Sequence, residues 1–216
     1  MSTFSHARSV CFAVTVVLAA VLVPSDGSAA GGSTRGTLLG VSLHSNHIGS
    51  DDRPPDAPSG SVFLDENGGG LTLVAGYGFT NAFALRLALD GAVHETTDPA
   101  IEVTHSSVVL ESVYYFRSAQ LARPYVAAGV GGFQVESRQG QYDFATTGPG
   151  AVLGTGLQVF VAEHVALDFG LRADWINWEE QRATRHEGDG TETIVQTPIE
   201  EEGGAVKLRV GVNFWI

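Results

Sequence analysis

The chain has 216 residues, and 24 acidic against 12 basic side chains give it a net charge of −12. This balance excludes a nucleic-acid partner, because such proteins carry a basic surface that neutralises phosphates. Hydrophobic residues make up 44% and charged residues 17%, which excludes a disordered chain. The 27 glycines are well above the ordinary share of about 7%, and the length suits one domain of β type.

Residues 1–30 predict a secretory signal peptide that is removed from the mature protein. A short polar start precedes an apolar run from Val10 to Val23, Pro24 ends that run, and residues 28–30 are small enough for cleavage. The run is shorter than the roughly 20 apolar residues that a spanning helix needs. An uncleaved anchor is the alternative. We therefore expect residues 31–216 to form the mature domain.

Beyond the signal, apolar and polar residues alternate with a period of two, which is typical of strands whose two faces meet different surroundings. The alternation is clear in four segments, namely 71–79, 83–94, 165–175 and 206–216. It is weaker in four others, namely 36–45, 102–116, 124–138 and 150–161. The sequence therefore predicts eight strands.

Short and long connections take turns between these strands. Short turns are predicted at 79–82, 117–123 and 162–164, and long polar links at 46–69, 95–101, 139–149 and 179–204. In an up-and-down sheet this alternation places every long link at the same end. Short periplasmic turns and longer external loops are typical of an outer-membrane barrel.

The polar face of the predicted strands is rich in small residues and carries charges of both signs. This composition suits a narrow lumen with paired charges, whereas a soluble surface carries many Lys and Glu side chains. The lumen is expected to hold Arg86, Asp90, Asp168, Arg172, Asp174, Lys207 and Arg209. The apolar face suits acyl chains, where a charge at the midplane costs about 2–4 kcal/mol.

Aromatic residues gather near both ends of the predicted strands. Such rings favour the two interfaces of a membrane, so they predict a girdle. Its expected members are Phe79, Phe83, Phe116, Tyr125, Trp175 and Trp178.

Two segments carry a resemblance to a known family. Residues Arg123 to Phe133 resemble the fifth-strand signature of small outer-membrane β-barrel proteins, the OmpA/OmpX/OmpW-like group. Val210, Val212, Phe214 and Ile216 are similar to the C-terminal strand that the barrel-assembly machinery recognises, although that strand usually ends in Phe or Trp. The resemblance implies an all-β, eight-stranded antiparallel up-and-down transmembrane barrel in the bacterial outer membrane. It also implies contacts with outer-membrane lipid, lipopolysaccharide, the assembly machinery and periplasmic chaperones.

The expected function is non-enzymatic and needs no cofactor and no fixed metal site. We expect a lumen plugged by paired charges, and a role in envelope integrity, adhesion or shielding through acidic external loops. Carboxylates between 45 and 68 and between 180 and 203 are candidates for Ca²⁺ or Mg²⁺ bridging to lipopolysaccharide phosphates. A gated ion path through the lumen is an alternative.

Two further alternatives come from different classes of protein. The first is an OmpW-like transporter that passes small apolar solutes sideways into the bilayer. The second is a lipid A-modifying acyl hydrolase, because residues 44–47 (His-Ser-Asn-His) resemble in outline the His-x-Ser-Asn pattern of lipid A deacylases. Adjacent residues of a strand point to opposite faces, however, so His44 and Ser45 are not expected to act together.

Overall fold

The computed structural model describes residues 32–49, 64–96, 101–116, 121–186 and 192–216. They form eight antiparallel strands that close into one barrel in chain order. The strands are β1 (Gly36–Gly49), β2 (Leu64–Gly78), β3 (Phe83–Thr96), β4 (Ile101–Tyr115), β5 (Ala122–Gln139), β6 (Tyr142–Ala162), β7 (Val165–His186) and β8 (Glu192–Trp215). The expected fold is confirmed. The predicted signal peptide, 1–30, lies outside the described residues.

The last strand closes the ring against the first. β8 pairs with β1 from Leu38 opposite Trp215 to Gly49 opposite Gly204. Thr37 and Ile216 exchange two backbone hydrogen bonds of 2.7 and 2.8 Å just beyond the end of that pairing. A closed ring leaves no unpaired strand edge, which is the condition for a sheet to lie in lipid. Within the described residues, no helix is long and apolar enough to cross a bilayer.

The two faces of the barrel invert the usual arrangement of a soluble protein. Leu73, Leu89, Val108 and Leu208 are about half exposed on the outer face. The polar and charged residues that alternate with them are buried inside the ring. Apolar residues outside and polar residues inside is the pattern of a barrel in a membrane. The predicted orientation of the strand faces is therefore confirmed.

The strands fall into two groups by length. β1 to β4 have 14 or 15 residues, whereas β5 to β8 have between 18 and 24. A tilted strand needs only about 9–11 residues to span a bilayer. The longer four therefore continue beyond the apolar belt on the side opposite the tight turns. We call this extension, residues 134–147, 177–186 and 192–202, the external sheet.

Two of the predicted links are wrong, because the structure shows them mostly as strands of the external sheet. Residues 139–149 were expected to be a loop, but β5 and β6 pair up to Gln139 opposite Tyr142. Only Gly140 and Gln141 form the turn, and Gly140 has a φ of +60°, which favours glycine. Residues 179–204 are also mostly strand, since β7 and β8 pair up to His186 opposite Glu192. Both faces of these segments meet water, so the apolar alternation that marks a strand is missing from the sequence.

Candidate functional site: the luminal ion network

The seven charged side chains predicted for the lumen are all buried inside the barrel, at 2–7% exposure. Glu111 on β4 joins them and is fully buried. The set, which we call the luminal network, contains four acids and four bases and so has no formal net charge. Its members are Arg86, Asp90, Glu111, Asp168, Arg172, Asp174, Lys207 and Arg209.

Arg172 on β7 is the centre of the upper half of the network. Its Nη2 donates to Asp90 Oδ2 at 2.7 Å, and its Nε donates to Asp174 Oδ1 at 2.7 Å. Its Nη1 lies 3.5 Å from Glu111 Oε1. Asp90 belongs to β3, which stands four strands from β7 in a ring of eight. The contact therefore crosses the lumen from wall to wall.

Asp90 is the acceptor that the other upper residues share. The hydroxyls of Thr72 and Ser107 donate to its two oxygens at 2.6 and 2.9 Å. Lys207 Nζ lies 3.2 Å from Asp174 Oδ2 and 3.8 Å from Asp90 Oδ2. Arg172 and Lys207 face each other in adjacent strands, and the two carboxylates between them offset the repulsion.

The lower half of the network lies nearer the tight turns. Arg86 Nε is 2.5 Å from Glu111 Oε2, and its guanidinium lies 5.4 Å from the centre of the Tyr125 ring. Arg209 donates to the Tyr125 hydroxyl at 3.1 Å, and its Nε lies 3.5 Å from Asp168 Oδ2. Because Glu111 contacts both Arg86 and Arg172, it joins the two halves.

Polar and aromatic side chains continue the packing at both ends of the network. On the external side, Asn46 Nδ2 lies 3.2 Å from His94 Nε2 and 3.2 Å from His105 Nδ1, and His44 Nδ1 lies 3.0 Å from Thr72 Oγ1. On the periplasmic side, the rings of Tyr115 and Trp215 pack edge to face, with centres 6.0 Å apart. Buried side chains thus lie both above and below the ion pairs in the lumen.

The residues before β1 lie against the periplasmic end of the barrel. Thr34 is fully buried and donates to the carbonyl of Asn81 in the turn between β2 and β3. Arg123 on β5 donates to Thr34 Oγ1 at 2.8 Å and to the Gly32 carbonyl. The guanidinium of Arg123 also lies 5.2 Å from the centre of the Phe160 ring. These contacts hold the residues before β1 against β5, on the opposite side of the periplasmic end of the barrel.

The predicted girdle divides between the two faces of the barrel. Phe79, Phe83, Phe116 and Trp175 are exposed on the outer face. Tyr125 is only 1% exposed and lies in the lumen, so its assignment to the girdle is wrong. Its neighbours Pro124 and Val126 point outward, and strand alternation turns Tyr125 inward.

Trp178 is the second correction to the girdle. It shares the inward face of β7 with Asp174 and Ile176, and it packs against the buried group Val109, Phe133, Val152 and Ile176. The alternation that placed Asp174 in the lumen therefore also places Trp178 on the inner side. The wrong assignment came from its position near a strand end.

The residues of the predicted assembly signal lie on the last strand and just beyond it. Val210, Phe214 and Ile216 are exposed on the outer face. Val212 shares their alternation but is 5% exposed, between Val41 and Leu167 on the neighbouring strands. Recognition of this strand by the assembly machinery stays a prediction.

Sequence reasoning missed Glu111 and the two hydroxyl partners of Asp90, Thr72 and Ser107. The inward face of β4 is mostly apolar or weakly polar, with Val103, Val109 and Val113 among its members, so Glu111 did not stand out as part of a charged face. Its place opposite Arg86 is a matter of register, which a single sequence does not reveal. The seven predicted luminal charges are four bases and three acids. This excess of one base is the signal that could have pointed to a further acid in the lumen.

The two residues considered for catalysis do not come together. His44 is buried in the lumen, whereas Ser45 is exposed on the opposite face of β1. Of the acids considered for cation binding, those at 51, 52, 56, 187 and 189 lie outside the described residues. No group of three His, Cys, Asp or Glu side chains within the described ranges has the geometry to hold a metal ion.

A second group of ion pairs lies at the tip of the external sheet. Arg138 Nε is 2.9 Å from Asp143 Oδ1, and His186 Nε2 is 2.9 Å from Asp143 Oδ2. The hydrogen bonds from Arg138 and His186 hold the pKa of Asp143 below its usual value. Unlike the luminal pairs, these groups are open to water.

The closed ring, the apolar belt and the polar lumen define a transmembrane β-barrel of the bacterial outer membrane. The chain belongs to the outer membrane protein beta-barrel domain family, whose model matches residues 14–197. No curated protein sequence matches the chain.

Solved structures of outer-membrane barrels share the fold. Neisserial surface protein A is 19% identical, with a TM-score of 0.57 over 83% of this chain and 97% of that one. A major outer membrane protein from Thermus thermophilus is 14% identical, with a TM-score of 0.53 over 82% and 99%. AlkL, solved in DMPC lipid bilayers, is 19% identical, with a TM-score of 0.51 over 89% and 95%. At these identities the likeness concerns the fold alone.

Proposed function

We propose that this barrel is neither an enzyme nor an open pore, and that it acts through its external surface in envelope integrity, adhesion or shielding. The contact between Arg172 and Asp90 carries the proposal, because it joins opposite walls of the lumen. An eight-stranded barrel has an interior just wide enough for side chains to fill. Ion pairs that meet in the middle leave a solute no continuous path.

The external sheet is the part that a partner outside the cell would meet. It carries more acids than bases on β7 and β8, namely Glu179, Glu180, Glu192, Glu200, Glu201 and Glu202 against Arg182 and Arg185. A surface with this charge is well hydrated and repels other acidic surfaces. It also offers hydrogen-bonding groups well beyond the membrane, which supports a role in shielding or in contact with a partner. Binding of Ca²⁺ or Mg²⁺ by these acids stays part of the proposal.

Transport of small apolar solutes sideways into the bilayer is the alternative, and one feature of the outer surface bears on it. A groove of about 600 Å³ lies on the outside of β3 to β6, close to the external rim. A sideways path needs a gap between strands. The pairing of β6 with β7 shifts between Thr147 and Gly150 at the edge of the groove. The registers of β3 with β4, β4 with β5 and β5 with β6 run without a shift beneath it, which favours the plugged barrel.

Planar-bilayer recording tests the plug. The purified wild-type barrel is expected to give no steady ion current at neutral pH. The double variant Arg172→Ala/Asp90→Ala is expected to give frequent openings, because it removes the contact that crosses the lumen. A steady current from folded wild-type protein would contradict the proposal.

Shortening the external sheet tests the site of action. Replacing residues 181–197 by Asn-Gly joins β7 and β8 through a two-residue turn next to the Glu180–Pro198 pair. We expect the variant to keep heat-modifiable migration on a denaturing gel, which reports a closed barrel, and to lose adhesion and protection of the cell surface. A variant that folds and keeps both properties would refute the assignment to the external sheet.

A further inference from the structure

We infer that the outer wall of β4 to β6 is a binding site for one amphiphile, a glycolipid of the outer leaflet, with its acyl chain low in the wall and its sugar head at the rim. The inference goes beyond the proposed function, because it needs only the membrane location of the barrel. Two adjoining grooves carry it, one of about 600 Å³ and one of about 420 Å³.

The grooves follow the same three strands, one above the other. Their outward residues form successive rows across β4, β5 and β6, namely Val108–Gly132–Pro149, Ser106–Gln134–Thr147, Thr104–Glu136–Ala145 and Glu102–Arg138–Asp143. Gln134 lines both grooves, so the two are continuous. At two residues per row, the four rows extend over roughly 20 Å along the strands.

The lower groove lies at the external edge of the apolar belt and has a recess at Gly132. Leu89 and Val108 are exposed walls of the groove. Between them and Pro149, Gly132 has no side chain, and a Cβ built there meets no atom within 4 Å. The wall around Gly132 therefore has an open apolar recess that faces lipid. An acyl chain is the ligand that such a surface meets in a membrane.

The upper groove is lined by groups that recognise hydroxyls. Glu102, Glu136 and Asp143 accept hydrogen bonds, Arg138 and Arg182 donate them, and Gln134 can do both. Three acids against two bases leave little net charge, and Arg138 is already paired with Asp143. A phosphate alone is a poor match for this lining. A polyhydroxylated sugar matches it, because its hydroxyls donate to the carboxylates and accept from the guanidinium groups.

Variants that fill the recess test the inference. The protein is folded in zwitterionic micelles and titrated with rough-type lipopolysaccharide, and with phosphatidylglycerol as the lipid without a sugar. We expect Gly132→Leu to weaken lipopolysaccharide binding by about tenfold or more. Gly69→Leu is the matched control, since Gly69 is also open on the outer face but lies on β2, away from the groove. Ser106→Leu fills the same recess from β4 and serves if Gly132→Leu does not fold.

The head site is tested separately by Arg182→Gln, with Arg185→Gln on the other face of β7 as its control. We expect Arg182→Gln, and not Arg185→Gln, to weaken lipopolysaccharide binding while the weaker binding of phosphatidylglycerol is unchanged. Equal binding of lipopolysaccharide by wild type and both recess variants would overturn the inference. Equal affinity of the wild type for the two lipids would overturn the sugar assignment. A barrel that conducts ions but passes these tests would contradict only the proposed function.

Discussion

The lumen and the external sheet both carry acids and bases, but these side chains are buried in the lumen and exposed to water in the external sheet. In the lumen four acids and four bases are buried and share one network. At the tip of the external sheet, the Arg138 and Asp143 side chains are 73% and 32% exposed. A buried ion that loses its partner costs several kcal/mol, whereas an exposed pair contributes little. The same residue types therefore contribute strongly to stability in one region and little in the other.

The largest effect is expected from Arg172→Met, which removes the central base of the luminal network. Asp90 and Asp174 then lose their closest cationic partner inside the barrel. We expect the free energy of unfolding to fall by about 3–5 kcal/mol, because Lys207 is then the only base that Asp90 and Asp174 share within the luminal network. Unfolding in urea from lipid vesicles measures it. Arg185→Met, in the external sheet, is the control.

Removing both members of a luminal ion pair is expected to cost less stability than removing one member. Arg86→Met alone leaves Glu111 with only the longer contact to Arg172, whereas Arg86→Met with Glu111→Leu removes both charges. We expect the double variant to be more stable than the single variant, because replacing a buried pair by apolar groups is often nearly neutral. A double variant that is less stable than the single would show that Glu111 is held by groups other than Arg86.

The sequence predicted most of the charged side chains of the lumen, and the residues that it misplaced have a physical reason. Strict alternation in β3, β7 and β8 placed Arg86, Asp168 and Arg209 in the lumen, because apolar neighbours on both sides marked the outward face. Tyr125 and Trp178 were misplaced because an amphipathic ring near a strand end suits either face.

The extent of the external sheet was not predictable from the same pattern. Once both faces of a strand meet water, nothing requires apolar residues at every second position, as in residues 179–204. Pairing between strands, such as Arg86 opposite Glu111, depends on register and so on the whole ring.

A smaller effect is expected from Tyr125→Phe. The hydroxyl accepts from Arg209 and lies 3.4 Å from Asp168, so its loss leaves part of a buried polar contact unmade. We expect a destabilisation of about 1–3 kcal/mol by urea unfolding in the same vesicles. Tyr114→Phe, on the outer face of β4, is the control. An equal effect of the two substitutions would argue against the luminal place of Tyr125.

The smallest effect is expected from Arg138→Ala at the tip of the external sheet. Both partners of this pair are open to water, so the unfolding midpoint of the barrel should not change measurably. A large fall in the midpoint would mean that the external sheet supports the barrel.

The pH dependence of that tip is set by Asp143. Because its pKa is lowered, the folded form favours the carboxylate, and the contact with Arg138 is present above the ordinary Asp pKa. The contact is lost only as the pH falls through the lowered value. NMR of the Asp143 carboxyl should therefore show titration at a lower pH in the wild type than in Arg138→Ala. Titration at the same pH in both proteins would count against the pair.

Access of water to the lumen is the most direct test of the central claim that paired side chains seal the barrel. Ser107→Cys places a thiol beside Asp90, and Glu136→Cys places one on the external sheet. A charged, water-soluble thiol reagent is added to the folded variants in vesicles. We predict that Glu136→Cys reacts to completion while Ser107→Cys stays largely unlabelled. Labelling of both at similar rates would show a water-filled lumen and contradict the account.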